Sequence, residues 1–105
     1  MGEVSARFLF DISGTYIAFE LGGHVWNGDC DWIGFIGDDE HQPTVYSAVD
    51  GTYFGNILSD RLMRLRRPPL VMVSRPLRPL RPIRPLRPLR QLPILPPLGW
   101  TDVDL

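Results

Sequence analysis

Three groups of residues in this 105-residue chain have types and spacings that could do chemistry. Asn27-Gly28-Asp29-Cys30-Asp31 sets two carboxylates two residues apart with a thiol between them, which invites a metal ion. The string lacks the D-x-D-x-D-G spacing and distant Glu of a calcium loop. In a strand, Cys30 would also point away from both acids. These residues therefore read as turn chemistry. Asp38-Asp39-Glu40-His41 could chelate Ca²⁺ weakly, yet an acidic loop between strands is ordinarily only solvated. Cys30 with His24 or His41 as base is a formal nucleophile–base pair, but no third group orients it. Phosphate loops, dinucleotide fingerprints and zinc patterns are missing. The expectation is a non-enzymatic protein with no catalytic residue, no metal and no cofactor.

The remaining chemistry is repetitive. From Pro76 to Arg90 the chain reads Pro-Leu/Ile-Arg five times over. Proline at every third position fixes φ and holds its predecessor extended, so the expected backbone is a polyproline II helix. Such a helix has three residues per turn and would carry fifteen residues roughly 46 Å. A three-residue repeat then sorts the side chains onto three edges. The prolines take one, Leu77, Leu80, Ile83 and Leu86 with Leu89 take a second, and Arg78, Arg81, Arg84 and Arg87 with Arg90 take the third. An aliphatic residue on each turn is more than a solvated spacer needs, and it calls for a partner surface.

Four readings of that partner stand open. In the first, the arm docks on the chain's own body or on a second copy. Its arginines would face Asp38, Asp39, Glu40, Asp29 or Asp31, and its aliphatic edge would face aromatics such as Trp26 and Trp32. The second is a foreign domain that reads Pro-x-x-Pro-x-Arg, although Arg stands where such ligands carry an aliphatic. The third is a nucleic acid or another anionic surface, for which arginine is suited; against it stand the lack of stacking aromatics in the tract and the acids nearby. The fourth is a semi-rigid solvated tail.

The elements that must position these groups divide the chain unevenly. Ten of the eleven prolines lie between Pro68 and Pro97. Residues 1–60 hold ten acids against Arg7 alone, a net of −9, while residues 61–105 hold ten arginines against Asp102 and Asp104, a net of +8. The overall −1 is an acid block joined to a base block. Residues 1–67 read as a body, 68–97 as the arm, and 98–105 as a segment that could return to the body. A body this small is only marginally stable. Cys30, the single cysteine, cannot form an internal disulfide and suits a reducing, cytoplasmic setting. Neither a signal-peptide pattern nor an apolar stretch of ~20 residues is present.

Within the body, Tyr16-Ile17-Ala18, Trp32-Ile33-Gly34 and Tyr53-Phe54-Gly55 repeat an aromatic, a branched or aromatic residue, and a small one. Each follows a glycine-bearing turn signal (Ser13-Gly14, Asn27-Gly28, Asp50-Gly51), and each turn follows a short apolar run. Asn-Gly and Asp-Gly between β-rich runs predict tight type I′ hairpins. Leu62 to Leu65 opens a fourth unit. The fold class is therefore all-β, with three to four short hairpins arranged radially or as a small barrel. The alternation of these motifs, with Gly99-Trp100 near the end, resembles the small bacterial repeat proteins called four-fold β-flowers. That resemblance implies four hairpins about a pseudo-four-fold axis, no established activity and no catalytic residues. The arm interrupts the fourth unit.

Overall fold

The computed structural model describes residues 6–37 and 43–105. Eight strands follow one another as a meander: β1 (Arg7–Phe10), β2 (Tyr16–Leu21), β3 (His24–Asn27), β4 (Trp32–Ile36), β5 (Thr44–Ser47), β6 (Tyr53–Leu58), β7 (Arg61–Leu65) and β8 (Trp100–Asp102). Neighbours in sequence are neighbours in the sheet, and each such pair is antiparallel. The start of β7 also meets the end of β1 in parallel, Phe10 opposite Arg61, with the Phe10 amide donating to the Asp60 carbonyl at 2.9 Å. The first seven strands thereby close into a barrel, and β8 adds to the far end of β7. The described residues contain no helix, and so none long and apolar enough to cross a membrane.

Each repeated triplet is a β-bulge. Leu9 pairs with Ala18 and Phe10 with Tyr16, so Ile17 is extra; Ile33 and Phe54 are extra in the same way in the second and third hairpins. A bulge bends its strand and raises the local twist, which is what a sheet of short strands needs in order to close. The third residue of the triplet must be small because the interior is full. Leu9, Ala18, Val25, Val45, Ile57 and Leu62 form the buried cluster, and a Cβ on Gly34 would sit 2.6 Å from Val45. The aromatic at the head of each triplet stays half-buried. Tyr16 and Trp32 pack instead on a second cluster of Phe19, Trp26 and Cys30.

The turns depart from the expected two-residue type. The first, second and third hairpins turn over residues 11–15, 27–31 and 47–52, opened by Asp11, Asn27 and Ser47. Side-chain oxygens of those opening residues accept amides across the turn, as in Asn27 Oδ1 taking Asp29 and Asp31, each at 2.9 Å. The single left-handed residue falls just before the closing position: Gly14, Cys30 and Gly51. Gly28 is not left-handed, so Asn27-Gly28 is not a type I′ pair; the Asn27 side chain organises a longer turn whose strained position lies at Cys30. The fourth unit is completed after the arm. β8 returns to β7 with Leu65 opposite Trp100, and Asp102 Oδ1 accepts the Ile12 amide at 2.8 Å.

Candidate functional site

Between β7 and β8 the chain leaves the barrel for more than thirty residues and comes back to the strand it left. A straight fifteen-residue polyproline segment would exceed the molecule's longest dimension of 37 Å. The arm bends instead. It crosses the turn of the third hairpin, then the second, then the first, and returns to β7.

At the third turn, Met72 bridges Thr52 and the Val73 amide donates to the Gly51 carbonyl at 2.9 Å. Arg75 donates to the Ala48 carbonyl at 3.0 Å. Thr52, bonding through hydroxyl and amide, holds the Asp50 carboxyl below its ordinary range, and Arg75 adds to the effect. At the second turn, Arg81 donates to the Asp29 carbonyl at 2.6 Å and Arg84 lies 3.6 Å from the Asp29 carboxylate. The latter pair is exposed and contributes little on its own. At the first turn, Gln91 donates to the Gly14 carbonyl at 2.9 Å, Ile94 to Ile12 at 3.0 Å, and Arg90 to Ser13 at 3.4 Å. The arginines thus meet turn carbonyls more than carboxylates.

Burial along the arm has a period of three. From Val73 to Ile94 the half-buried residues are Val73, Pro79, Pro82, Pro85, Pro88 and Ile94, all in one phase. The proline edge therefore faces the body. This corrects the expectation for the aliphatic edge as far as the chain's own body is concerned: Leu77, Leu80 and Ile83 are each 94% exposed and Leu86 is 91% exposed. The physical reason lies in what the turns offer, which is carbonyl oxygens and carboxylates rather than an apolar groove. Proline suits that contact because it brings no N–H to satisfy. Where the inward phase carries another residue with an N–H in use, at Val73, Gln91 and Ile94, that N–H donates to a body carbonyl.

The predicted body residues are split. Asp38, Asp39 and Glu40, with His41, lie outside the described residues. Trp26 is buried against Phe19 and Cys30, so it offers the arm no surface. Trp32 faces the same space as the arm, lining with Val49, Arg75, Leu77 and Arg78 an open groove of about 630 Å³. Arg78, Arg81, Arg84 and Arg87 remain exposed at the surface of the arm. Of these, Arg87 and then Arg84 lower a Tyr16 hydroxyl that burial, with Cys30 adding, pushes above its usual range.

Arg61 ties the arm to the body, and nothing in the sequence singles it out. Only 6% exposed, it sends Nε to Asp60 at 3.1 Å, Nη1 to the Asp11 carbonyl at 3.0 Å and Nη2 to the Leu92 carbonyl at 2.7 Å. One guanidinium joins β7, the first turn and the arm. Among the described residues, no group of three His, Cys, Asp or Glu is placed to hold a metal ion.

His24 stands at the start of β3 with its ring edge-on to Trp32, centroids 5.6 Å apart, and its buried Nδ1 has no hydrogen-bond partner among the described residues. Burial pushes its pKa below the ordinary histidine value, partly offset by Glu20. The neutral form is thus favoured on folding. Its contribution is complete above the unfolded value of about 6.5 and is lost as pH falls through the lowered folded value. Melting temperatures of the wild type and His24→Phe, compared from pH 8 to pH 5, are expected to diverge below pH 6.5, the wild type losing more. Parallel curves would remove His24 from the acid sensitivity of the fold.

Comparison of the chain with protein-family models, with curated proteins and with solved structures gives no match.

Proposed function

We propose that this protein is a non-enzymatic interaction and assembly module, in which the β body carries the Pro-Leu/Ile-Arg arm and the arm is the surface that meets a partner. The observation that carries this reading is the division of labour along the arm. Its prolines and backbone amides are turned to the body, while its aliphatic edge is left in water. The three-residue burial period supports the polyproline II geometry for the arm. Three hairpins with the same bulge, and a fourth completed by β8, support kinship with the four-fold β-flower proteins. A foreign polyproline-binding domain fits less well, because the edge such domains grip is already engaged.

The test is charge reversal of Arg78, Arg81, Arg84 and Arg87 to Glu, which sets like charge beside Asp29. The arm's five Arg–Pro bonds resist trypsin, so the arm is probed with a protease that cuts after leucine, normalised to the free peptide of the same sequence. The variant's arm is expected to be cut at least ten-fold faster than the wild type's. Equal rates would sink the idea of an arm held on its own body. Titration of labelled RNA and DNA at two salt concentrations covers the remaining reading: tight binding that weakens steeply with salt would make the arginine edge an anionic-polymer site instead.

A further inference from the structure

The aliphatic edge is longer than the five sequence repeats. Every third residue from Leu77 to Leu98 is leucine, apart from Ile83, and all eight are 82–102% exposed. After Arg90 there is no further arginine and Pro93 and Pro96 leave the proline phase, yet the aliphatic phase continues to the foot of β8. Contiguous apolar patches on a soluble monomer rarely exceed a few hundred Å². At on the order of 100 Å² per side chain, this edge presents on the order of 800 Å², about what one partner contributes to a standard-size interface.

From this edge we infer that the arm is a homodimer interface: the Leu77–Leu98 edges of two copies interlock about a two-fold axis. The inference rests on the assembly reading above and names its partner. Three observations choose a second copy. The first is period. Side chains three residues apart on an extended proline-rich helix stand about 9 Å from one another, leaving a gap between them that one aliphatic side chain fills. An identical edge running antiparallel has the same period, so every gap is matched along the whole length. The second is shape. The arm is curved around the barrel, and a two-fold axis sets two equal arcs against each other. The third is charge. The arginine edge lies beside the apolar one, so the aliphatics can meet without burying a guanidinium.

A lipid surface is the competing occupant, and the observations favour it less. Between Pro68 and Leu98 there is no Trp, Tyr or Phe to sit at a bilayer interface. Asp29 lies against the arginine edge, and the chain's net charge is −1, so attraction to anionic headgroups is weak.

The experiment is sedimentation velocity on the full chain from 1 to 200 µM, with amide exchange at Gln91 as the report on the arm. The wild type is expected to be dimeric over the upper part of that range. Leu80→Ser, Ile83→Ser and Leu86→Ser together are expected to weaken association at least a hundred-fold while the Gln91 amide stays protected. These side chains touch no core, so the variant folds. A wild type that stays monomeric with a protected Gln91 amide overturns the dimer and leaves the docked arm standing. A monomer whose Gln91 amide exchanges freely overturns both. Dimerisation undiminished in the triple variant overturns this edge as the interface. Binding of the wild-type monomer to vesicles of 7:3 phosphatidylcholine and phosphatidylserine, lost in the variant, assigns the edge to lipid instead.

Discussion

Replacing both Gly14 and Gly51 by alanine is expected to release the arm at two of its three crossings while the barrel stays folded. These glycines hold equivalent places in the first and third turns, with φ of +93° and +78°. Each accepts an arm amide on its carbonyl and turns the hydrogen that a side chain would replace toward the same arm residue's carbonyl. A Cβ on Gly14 would lie 1.9 Å from the Gln91 oxygen, and one on Gly51 2.0 Å from the Val73 oxygen. Both obstacles are backbone, so no rotamer change relieves them. Alanine also carries a left-handed penalty of about 1 kcal/mol, and the lost hydrogen bond adds about 1 kcal/mol at each site.

Cys30 supplies the internal control. It occupies the same position in the second turn with φ of +61°, so this turn tolerates a side chain. There the arm passes with Pro82, which has no N–H, and contact is made by Arg81 and Arg84 at Asp29. Strain alone therefore does not unfold the barrel, and the loss should concentrate in the arm. Amide exchange at Val73 and Gln91 is expected to quicken at least thirty-fold in the double variant, with β2 and β6 amides moving far less. If Val73 and Gln91 keep their protection, the two glycines do not latch the arm.

The same residues show what a sequence can disclose. The triplets at Tyr16, Trp32 and Tyr53 were legible as repeats because a bulge in a filled barrel restricts three consecutive side-chain sizes at once. The opening of the fourth unit was legible only as a short apolar run, since β7 carries no bulge, whereas the return of β8 depends on contacts across the whole arm. Turn chemistry was half legible. Gly28 advertises a left-handed residue and does not adopt it, and Cys30 adopts it without advertising it. The three-residue period of the arm followed from proline geometry, but which edge faces inward did not. The apolar edge is the natural choice by hydrophobic burial alone. The turns present carbonyls instead, and an edge without donors lies flat on them while arginines and three spared amides reach the oxygens.

Arg61→Met is expected to cost about 3 kcal/mol of unfolding free energy, from the loss of part-buried hydrogen bonds between a buried charged group and two backbone carbonyls. In composition Arg61 looks like one more base of the arginine block. In the fold it is a buried strand residue at the seam where β7 closes on β1. Its fork spans three parts of the chain, and methionine can fill the space while leaving the Asp11 and Leu92 carbonyls unanswered. The Asp60 carboxylate, half-exposed, can turn to water and adds little. For a domain whose total stability is of order 5–10 kcal/mol, such a loss moves the urea midpoint by a large fraction of its value. Arg61→Lys keeps the charge but has one ammonium for a fork, so it should recover only part of the loss. Because Leu92 lies between the arm's attachments at Gln91 and Ile94, both variants should also raise exchange at those amides. An unfolding free energy within about 0.5 kcal/mol of the wild type for Arg61→Met would mean that the seam is held by the β1–β7 pairing alone. The arm would then be tied to the barrel only at its turns.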